Sequence, residues 1–180
     1  MRKKVMLSAV LEDRQGMSND SAMDDGRLAE ILRSTRTIAM VGASPSPERD
    51  SHGVMHYLQR VGYRVIPVNP TAVGRDIHGE PVVASLADID EPFELVDVFR
   101  RRDAMPEVVD HVLPLIEARG IRTLWLQLGV GHRQAAARAR EAGLSVVADR
   151  CMKIEHRRLS RAGRVVTSAR PARSSARRPR

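Results

Sequence analysis

The chain has 180 residues, of which 42% are hydrophobic, and its formal net charge is +8. This length suits one hydrophobic core and argues against two full domains. Cys151 is the single cysteine, which excludes an intramolecular disulfide and a zinc site built from several cysteines, and we expect a reducing, cytoplasmic location. The basic start of the chain is interrupted by Glu12 and Asp13 before any long apolar run, so the sequence predicts neither a secretory signal nor a membrane span.

The excess positive charge lies at the C-terminal end. Residues 160–180 contain seven Arg and no acidic residue, which leaves 23 basic against 22 acidic residues in the rest of the chain. This segment has too little apolar surface to offset the entropy of ordering, so we expect a disordered, solvated tail; weak nonspecific contact with a polyanion is the alternative. Residues 1–23 are expected to be a disordered extension. The predicted folded domain is therefore 24–159.

Helical and strand patterns alternate along this domain. Asp24 or Asp25 is a candidate N-cap for a first helix, and Ser51 is the candidate cap for the second. Pro114 should kink or divide a later helix between Val108 and Arg119, because proline removes a backbone hydrogen bond inside a helix. The predicted strands, each a short apolar run, are residues 37–42, 64–68, 94–99, 123–129 and 144–148.

Strands that alternate with helices over short connections pair in parallel through right-handed crossovers. The sequence therefore predicts an α/β fold, a Rossmann-like, doubly wound five-stranded parallel sheet of order 3-2-1-4-5 in a three-layer α/β/α arrangement. Ligands in such sheets bind beyond the carboxyl ends of the strands, where the winding reverses. The loops that follow the strands are thus the first place to look for a site.

The loop after the first strand contains Gly42, Ala43 and Ser44. A glycine here allows close approach of a ligand, and free N–H groups at the turn and at the next helix start suit a phosphate. The loop is neither the three-glycine dinucleotide fingerprint nor a Walker A loop. A tight turn with no ligand is an equally good interpretation of these residues alone.

The second strand ends in Val68, Asn69 and Pro70. Rossmann domains that bind NAD place a carboxylate at this position to hold the ribose, and none is present. Asn69 can bond a sugar or base, and its neighbours offer apolar contact to adenine. The third strand ends in Phe99 and Arg100, and an arginine there suits a ligand with several phosphates; a solvated charge run is the alternative.

Five short motifs resemble the small stand-alone bacterial and archaeal CoA-binding proteins, which share the CoA-binding domain of the succinyl-CoA synthetase α-subunit. The resemblance spans Leu28 to Leu159, and its motifs are VGAS (41–44), VIPVNP (65–70), VDVFR (96–100), LWLQLGV (124–130) and DRCMKIE (149–155). It implies that CoA is held across the strand ends. In that arrangement Gly42 to Ser44 contact phosphate, Val68 to Pro70 the adenosine part, and Phe99 and Arg100 the far side of the nucleotide. In the same arrangement the pantetheine or pyrophosphate contacts Gln127, Leu128, Gly129 and Val130.

No catalytic constellation is visible in the sequence, and the histidine-bearing domain of the synthetase has no counterpart in this length. The six histidines are interpreted as surface or helix-face residues rather than metal ligands. Cys151, beside Arg150 and Lys153, is placed near the thiol end of CoA, where a mixed disulfide is one interpretation and a structural thiol the favoured one.

The leading hypothesis is therefore a non-catalytic binding or regulatory protein for CoA or an acyl-CoA. The alternative hypothesis is an NAD(P)-binding oxidoreductase or redox sensor. The acyl group, the partner proteins and the choice between a monomer and a homo-oligomer stay open.

Overall fold

The structure is a computed structural model that describes residues 23–166. Its first helix shows how local sequence sets an element boundary. Asp24 caps this helix by accepting a 2.7 Å hydrogen bond from the N–H of Arg27, as predicted. The buried face of the helix carries Leu28, Ile31 and Leu32 at helical spacing. In chain order the helices are α1 (Asp25–Ser34), α2 (Asp50–Arg60), α3 (Met105–Val112), α4 (Ile116–Arg119), α5 (Arg133–Glu141) and α6 (Met152–Arg161).

Two helix boundaries test the other sequence predictions. Pro114 divides the predicted helix as expected: α3 gives way to a 3-10 turn at Leu113–Leu115, and α4 follows it. Ser51 does not cap α2, because the N-cap is Arg49 and Ser51 is the second helical residue. The prediction for Ser51 was wrong by two residues, and its hydroxyl serves the loop before the helix instead.

All five predicted strands are present in one parallel sheet. In chain order the strands are β1 (Thr37–Val41), β2 (Arg64–Val68), β3 (Asp76–Ile77), β4 (Glu80–Pro81), β5 (Leu95–Val98), β6 (Thr123–Leu126) and β7 (Ser145–Val147). The main sheet runs β2-β1-β5-β6-β7, while β3 and β4 form a separate antiparallel pair. This confirms the α/β class and the doubly wound parallel sheet.

With the segment at Val83 counted as a strand, the main sheet reads 3-2-1-4-5-6, so the predicted 3-2-1-4-5 winding is present, but its third position is filled by a different segment from the one predicted. Val83 forms a single parallel bridge to Val68 on the outer edge of β2, and this rudimentary strand takes position three. The segment predicted as strand three is β5. It pairs with β1 on the side of β1 that faces away from β2. The physical reason is burial: all four residues of β5 are buried, as a central strand requires.

The core consists of two apolar clusters, one on each face of the sheet. One contains residues of α1, α2 and α6, such as Leu32, Met55 and Leu159, packed on Trp125. The other contains residues of α3 and α5, such as Val109, packed on the opposite face. The three-layer arrangement is thus confirmed. The winding reverses between β1 and β5, which places the expected ligand crevice at their carboxyl ends.

The folded domain extends beyond the predicted limit at residue 159. Helix α6 ends at Arg161, and Val165 is buried against the core, so the tail was predicted to start a few residues too early. The remainder of the predicted tail and residues 1–22 lie outside the described residues.

Candidate functional site

The loops after β1 and β5 meet at Gly42. Its backbone is left-handed, with φ of 84°, and a Cβ atom built on it would lie 2.3 Å from the carbonyl oxygen of Phe99. No side chain fits in that space. The contact between two protein loops therefore requires glycine here. From the sequence alone, this requirement could not be distinguished from a glycine that allows close approach of a ligand.

The amide groups of this loop are largely engaged within the protein. Gly42 donates its N–H to the carbonyl oxygen of Val68 at 2.9 Å, and Ser44 donates its N–H to Oγ of Ser51 at 3.1 Å. The expectation of free N–H groups is wrong for these two residues. The N–H of Ala43 has no acceptor among residues 23–166, and the N-cap residue Arg49 makes no side-chain bond to the first turn of α2.

Asn69 ties the loop after β2 to the loop after β1. Its Nδ2 donates to the carbonyl oxygen of Ala43 at 2.7 Å, and its Oδ1 accepts from the N–H of Thr71 at 3.0 Å. Both ends of the side-chain amide are thus in use. Asn69 therefore holds the crevice in shape. A side-chain amide nitrogen has two N–H donors, and Ala43 accepts only one of them, so the bond from Asn69 to a sugar or base stays a prediction.

A cavity of about 120 Å³ lies where β1, β2 and β5 end. An apolar cavity of about 150 Å³ holds a benzene ring, so this slightly smaller cavity is about the size of a single ring. The remainder of a larger ligand would lie along the open surface. The apolar part of the wall includes Val41, Val68, Leu86 and Val108, and the polar part includes Ser85, Arg100, Glu107 and His111.

Arg100 lines this cavity with an exposed guanidinium that has no hydrogen-bond or ion-pair partner within the described part of the chain. An unpaired guanidinium is a good ligand for phosphate oxygens. Its neighbour Phe99 goes elsewhere: the half-buried ring packs against the cluster on the α1, α2 and α6 face. The structure therefore brings Arg100 to the cavity with Gly42, Val68 and Pro70, whereas the ring of Phe99 does not line it.

Two carboxylates form hydrogen bonds to residues 127–130, which follow β6. The sequence analysis did not predict this role for either carboxylate. Asp149 accepts a 2.7 Å hydrogen bond from the N–H of Gly129, and Asp97 accepts one of 2.7 Å from Nε2 of Gln127. Gln127 is buried, whereas Leu128 is 58% exposed. The available signal was a glutamine directly after the buried strand β6 together with an aspartate inside the neighbouring buried strand β5. None of residues 127–130 lines the cavity.

Asp97 carries the most perturbed carboxyl group described. It is fully buried, and its Oδ2 has no hydrogen-bond partner among the described residues. Burial raises the pKa of this carboxyl to about 7, and the hydrogen bond from Gln127 opposes that shift. The neutral form of the Asp97 carboxyl is therefore favoured below about pH 7.

Cys151 is half-buried beside the same apolar cluster as Phe99, and it stands at the N-cap of α6 without a side-chain bond to that helix. It does not line the cavity. The suggested closeness of this thiol to a bound CoA stays a prediction.

Three of the six histidines lie together, although the sequence analysis interpreted them as scattered. The rings of His52 and His78 have centroids 4.0 Å apart, and those of His56 and His78 are stacked at 4.9 Å. Within residues 23–166, no group of histidine, cysteine or carboxylate side chains is arranged to hold a metal ion. His156 is buried on α6, where its Nδ1 lies 2.8 Å from the hydroxyl of Tyr57.

The geometry agrees with a comparison against known protein families. Residues 36–157 match the family model described as a CoA binding domain. The chain belongs to this CoA binding domain family. The match contains every residue predicted for the site, from the loop after β1 to Cys151.

Individual relatives support the same assignment. The uncharacterized protein YneT of Bacillus subtilis (strain 168) is 37% identical over 129 residues, which are 72% of this chain and 91% of that protein. A solved structure from Thermus thermophilus has 43% identity and a TM-score of 0.71, covering 76% of this chain and 99% of that one. A hypothetical protein from Pyrococcus horikoshii OT3 has 39% identity and a TM-score of 0.71, covering 79% and 95%.

Between residues 23 and 166, no helix combines the length and the apolar character needed to cross a lipid bilayer.

Proposed function

We propose that this chain binds coenzyme A or an acyl-CoA in the crevice between β1 and β5, as a binding or regulatory protein rather than a catalyst. The observation that carries the proposal is the pairing of a ring-sized apolar cavity with the unpaired guanidinium of Arg100 at its edge. One part suits a nucleobase and the other a phosphate group. Membership of the CoA binding domain family supports the same ligand.

The end of β2 favours CoA over NAD as the ligand. Asn69 stands where a carboxylate would hold the ribose of NAD, and its amide is already bonded to Ala43 and Thr71. The alternative of an NAD(P)-dependent oxidoreductase thus lacks a residue to recognise the ribose. It stays as an outcome of the binding experiment.

The experiment is isothermal titration calorimetry of the full chain with CoA, dephospho-CoA and NAD. We expect CoA to bind more tightly than NAD. Replacing Arg100→Ala should weaken CoA binding about tenfold, because one charge-assisted hydrogen bond to phosphate is lost. Arg101→Ala is the matched control, since Arg101 is 89% exposed and is absent from the cavity lining.

Two results would overturn the proposal. One is NAD binding that is as tight as CoA binding, and the other is an Arg100→Ala variant that binds CoA like the parent chain. A native mass spectrum of the purified protein provides an independent measurement, because a retained cofactor adds its own mass to that of the chain.

A further inference from the structure

Two side chains of opposite charge lie at the mouth of the cavity and form no ion pair with each other. Arg100 and Glu107 both line it, and neither forms an ion pair or a hydrogen bond within residues 23–166. Glu107 lies in the first turn of α3 and is exposed. Two such groups beside one cavity are available to two different parts of one ligand.

The two charged side chains attract different parts of a nucleotide. Phosphate oxygens are attracted to Arg100 and repelled by the carboxylate of Glu107, so the phosphates belong on the arginine side. An ionised carboxylate only accepts hydrogen bonds, and it therefore needs an N–H donor as its partner. The apolar wall that includes Val68, Leu86 and Val108 would enclose the faces of a ring and leave such a donor at the mouth.

We propose that Glu107 selects the base of the bound nucleotide by accepting a hydrogen bond from the 6-amino group of adenine. This inference rests on the proposed binding of CoA. Adenine carries an amino donor at position 6, whereas hypoxanthine and guanine carry a carbonyl acceptor there. A carboxylate beside that carbonyl oxygen would leave two acceptors facing each other, so Glu107 would favour adenine.

The neighbouring polar groups are less suited to this role. Ser85 donates its hydroxyl proton to Oδ2 of Asp88 at 2.8 Å, which keeps that side chain in the turn before β5. His111 lies one helical turn beyond Glu107 and also lines the cavity. A neutral imidazole both donates and accepts, so it does not distinguish an amino group from a carbonyl.

The experiment compares CoA with its deaminated analogue, in which hypoxanthine replaces adenine, by calorimetry on the full chain. We expect the parent chain to prefer CoA by about tenfold, the size of one charge-assisted hydrogen bond. In Glu107→Gln the preference should largely disappear, because the new amide can donate to the carbonyl of hypoxanthine as well as accept from adenine. Glu117→Gln, an exposed change outside the cavity lining, should keep the parent preference.

The outcomes separate this inference from the proposed function. Equal binding of the two compounds by the parent chain would overturn base selection and leave CoA binding intact, and it would indicate that the pantetheine arm occupies the cavity. An undiminished preference in Glu107→Gln would assign the selection to another residue. If the parent chain binds neither compound, the proposed function fails, and base selection fails with it.

Discussion

Gln127 donates a hydrogen bond from Nε2 to Oδ1 of Asp97 over 2.7 Å, and this bond joins the carboxyl end of β6 to the middle of β5. Asp97 is fully buried, and its second oxygen has no partner among the described residues. Burying a charged carboxylate without a counterion is costly, and burial raises the pKa of Asp97 to about 7. The two residues therefore form a contact whose strength depends on the protonation of one partner.

The first prediction concerns the pH dependence of stability. Between the ordinary carboxyl pKa of 3.8 and the folded value of about 7, the unfolded chain has released the Asp97 proton and the folded chain still holds it. The contribution of Asp97 to the free energy of unfolding is therefore full below about pH 4 and is lost as pH rises towards 7. Asp97→Asn keeps the acceptor for Gln127 and removes the titration. Its stability relative to the parent chain should rise between pH 4 and 7, as measured by urea unfolding.

The exposed residue Asp90 provides the control for that measurement. Asp90→Asn should show no comparable rise relative to the parent chain over the same pH range. An Asp97→Asn variant whose stability stays parallel to that of the parent chain would contradict the assignment of the slope to this buried carboxyl.

The second prediction concerns the contact between the loops at Gly42. In Gly42→Ala the new Cβ would overlap the carbonyl oxygen of Phe99 at 2.3 Å, so one loop must move. We expect a loss of about 2 kcal/mol or more in the free energy of unfolding, together with weaker CoA binding. Gly74→Ala is the matched control, because Gly74 has φ of 85° and open space around its Cβ position. It should lose only the backbone cost of about 1 kcal/mol. Equal losses in both variants would show that the loop contact is unimportant.

The third prediction separates the hydrogen bond that Asn69 donates to Ala43 from the two that it accepts from Thr71. Asn69→Ala removes all three, and we expect it to lower the free energy of unfolding by about 1–2 kcal/mol and to weaken CoA binding by loosening the loop at Ala43. Asn69→Asp keeps the acceptor for Thr71 and loses only the donor to Ala43. It should therefore recover part of the stability but little of the CoA affinity. Full recovery of affinity in Asn69→Asp would show that the link to Ala43 does not shape the crevice.

The fourth prediction concerns the buried residue His156, whose ring lies beside the partly buried Tyr57. Burial lowers the pKa of His156 below its ordinary value of 6.5, so the folded chain resists protonation that the unfolded chain accepts. The stability contributed by the neutral ring is lost as pH falls below about 6.5. In thermal melts, the advantage of the parent chain over His156→Gln should shrink between pH 7 and 5. The exposed residue His111 supplies the control, and a similar shrinkage in His111→Gln would contradict a specific role for burial.

Sequence patterns predicted the elements because those patterns are local. The five strands are short apolar runs, and Asp24 and Pro114 act through bonds within a few residues of themselves. The loops of the crevice also follow from the alternation of strands and helices, since parallel strands bring their carboxyl ends to one edge. The role of a single residue within its own turn, and the edge of the sheet that carries the candidate crevice, could therefore be predicted without coordinates.

The tertiary structure decided which of these loop groups are free. Asn69 and Gln127 have side chains that suit a ligand, but both are bonded to distant parts of the chain, to Ala43 and Asp97 respectively. Glu107 lies on α3, which no sequence motif connected with the site, yet it lines the cavity. Hydrogen-bond partners and cavity walls come from segments far apart in the chain, and their meeting depends on strand order and helix packing, which no local pattern specifies.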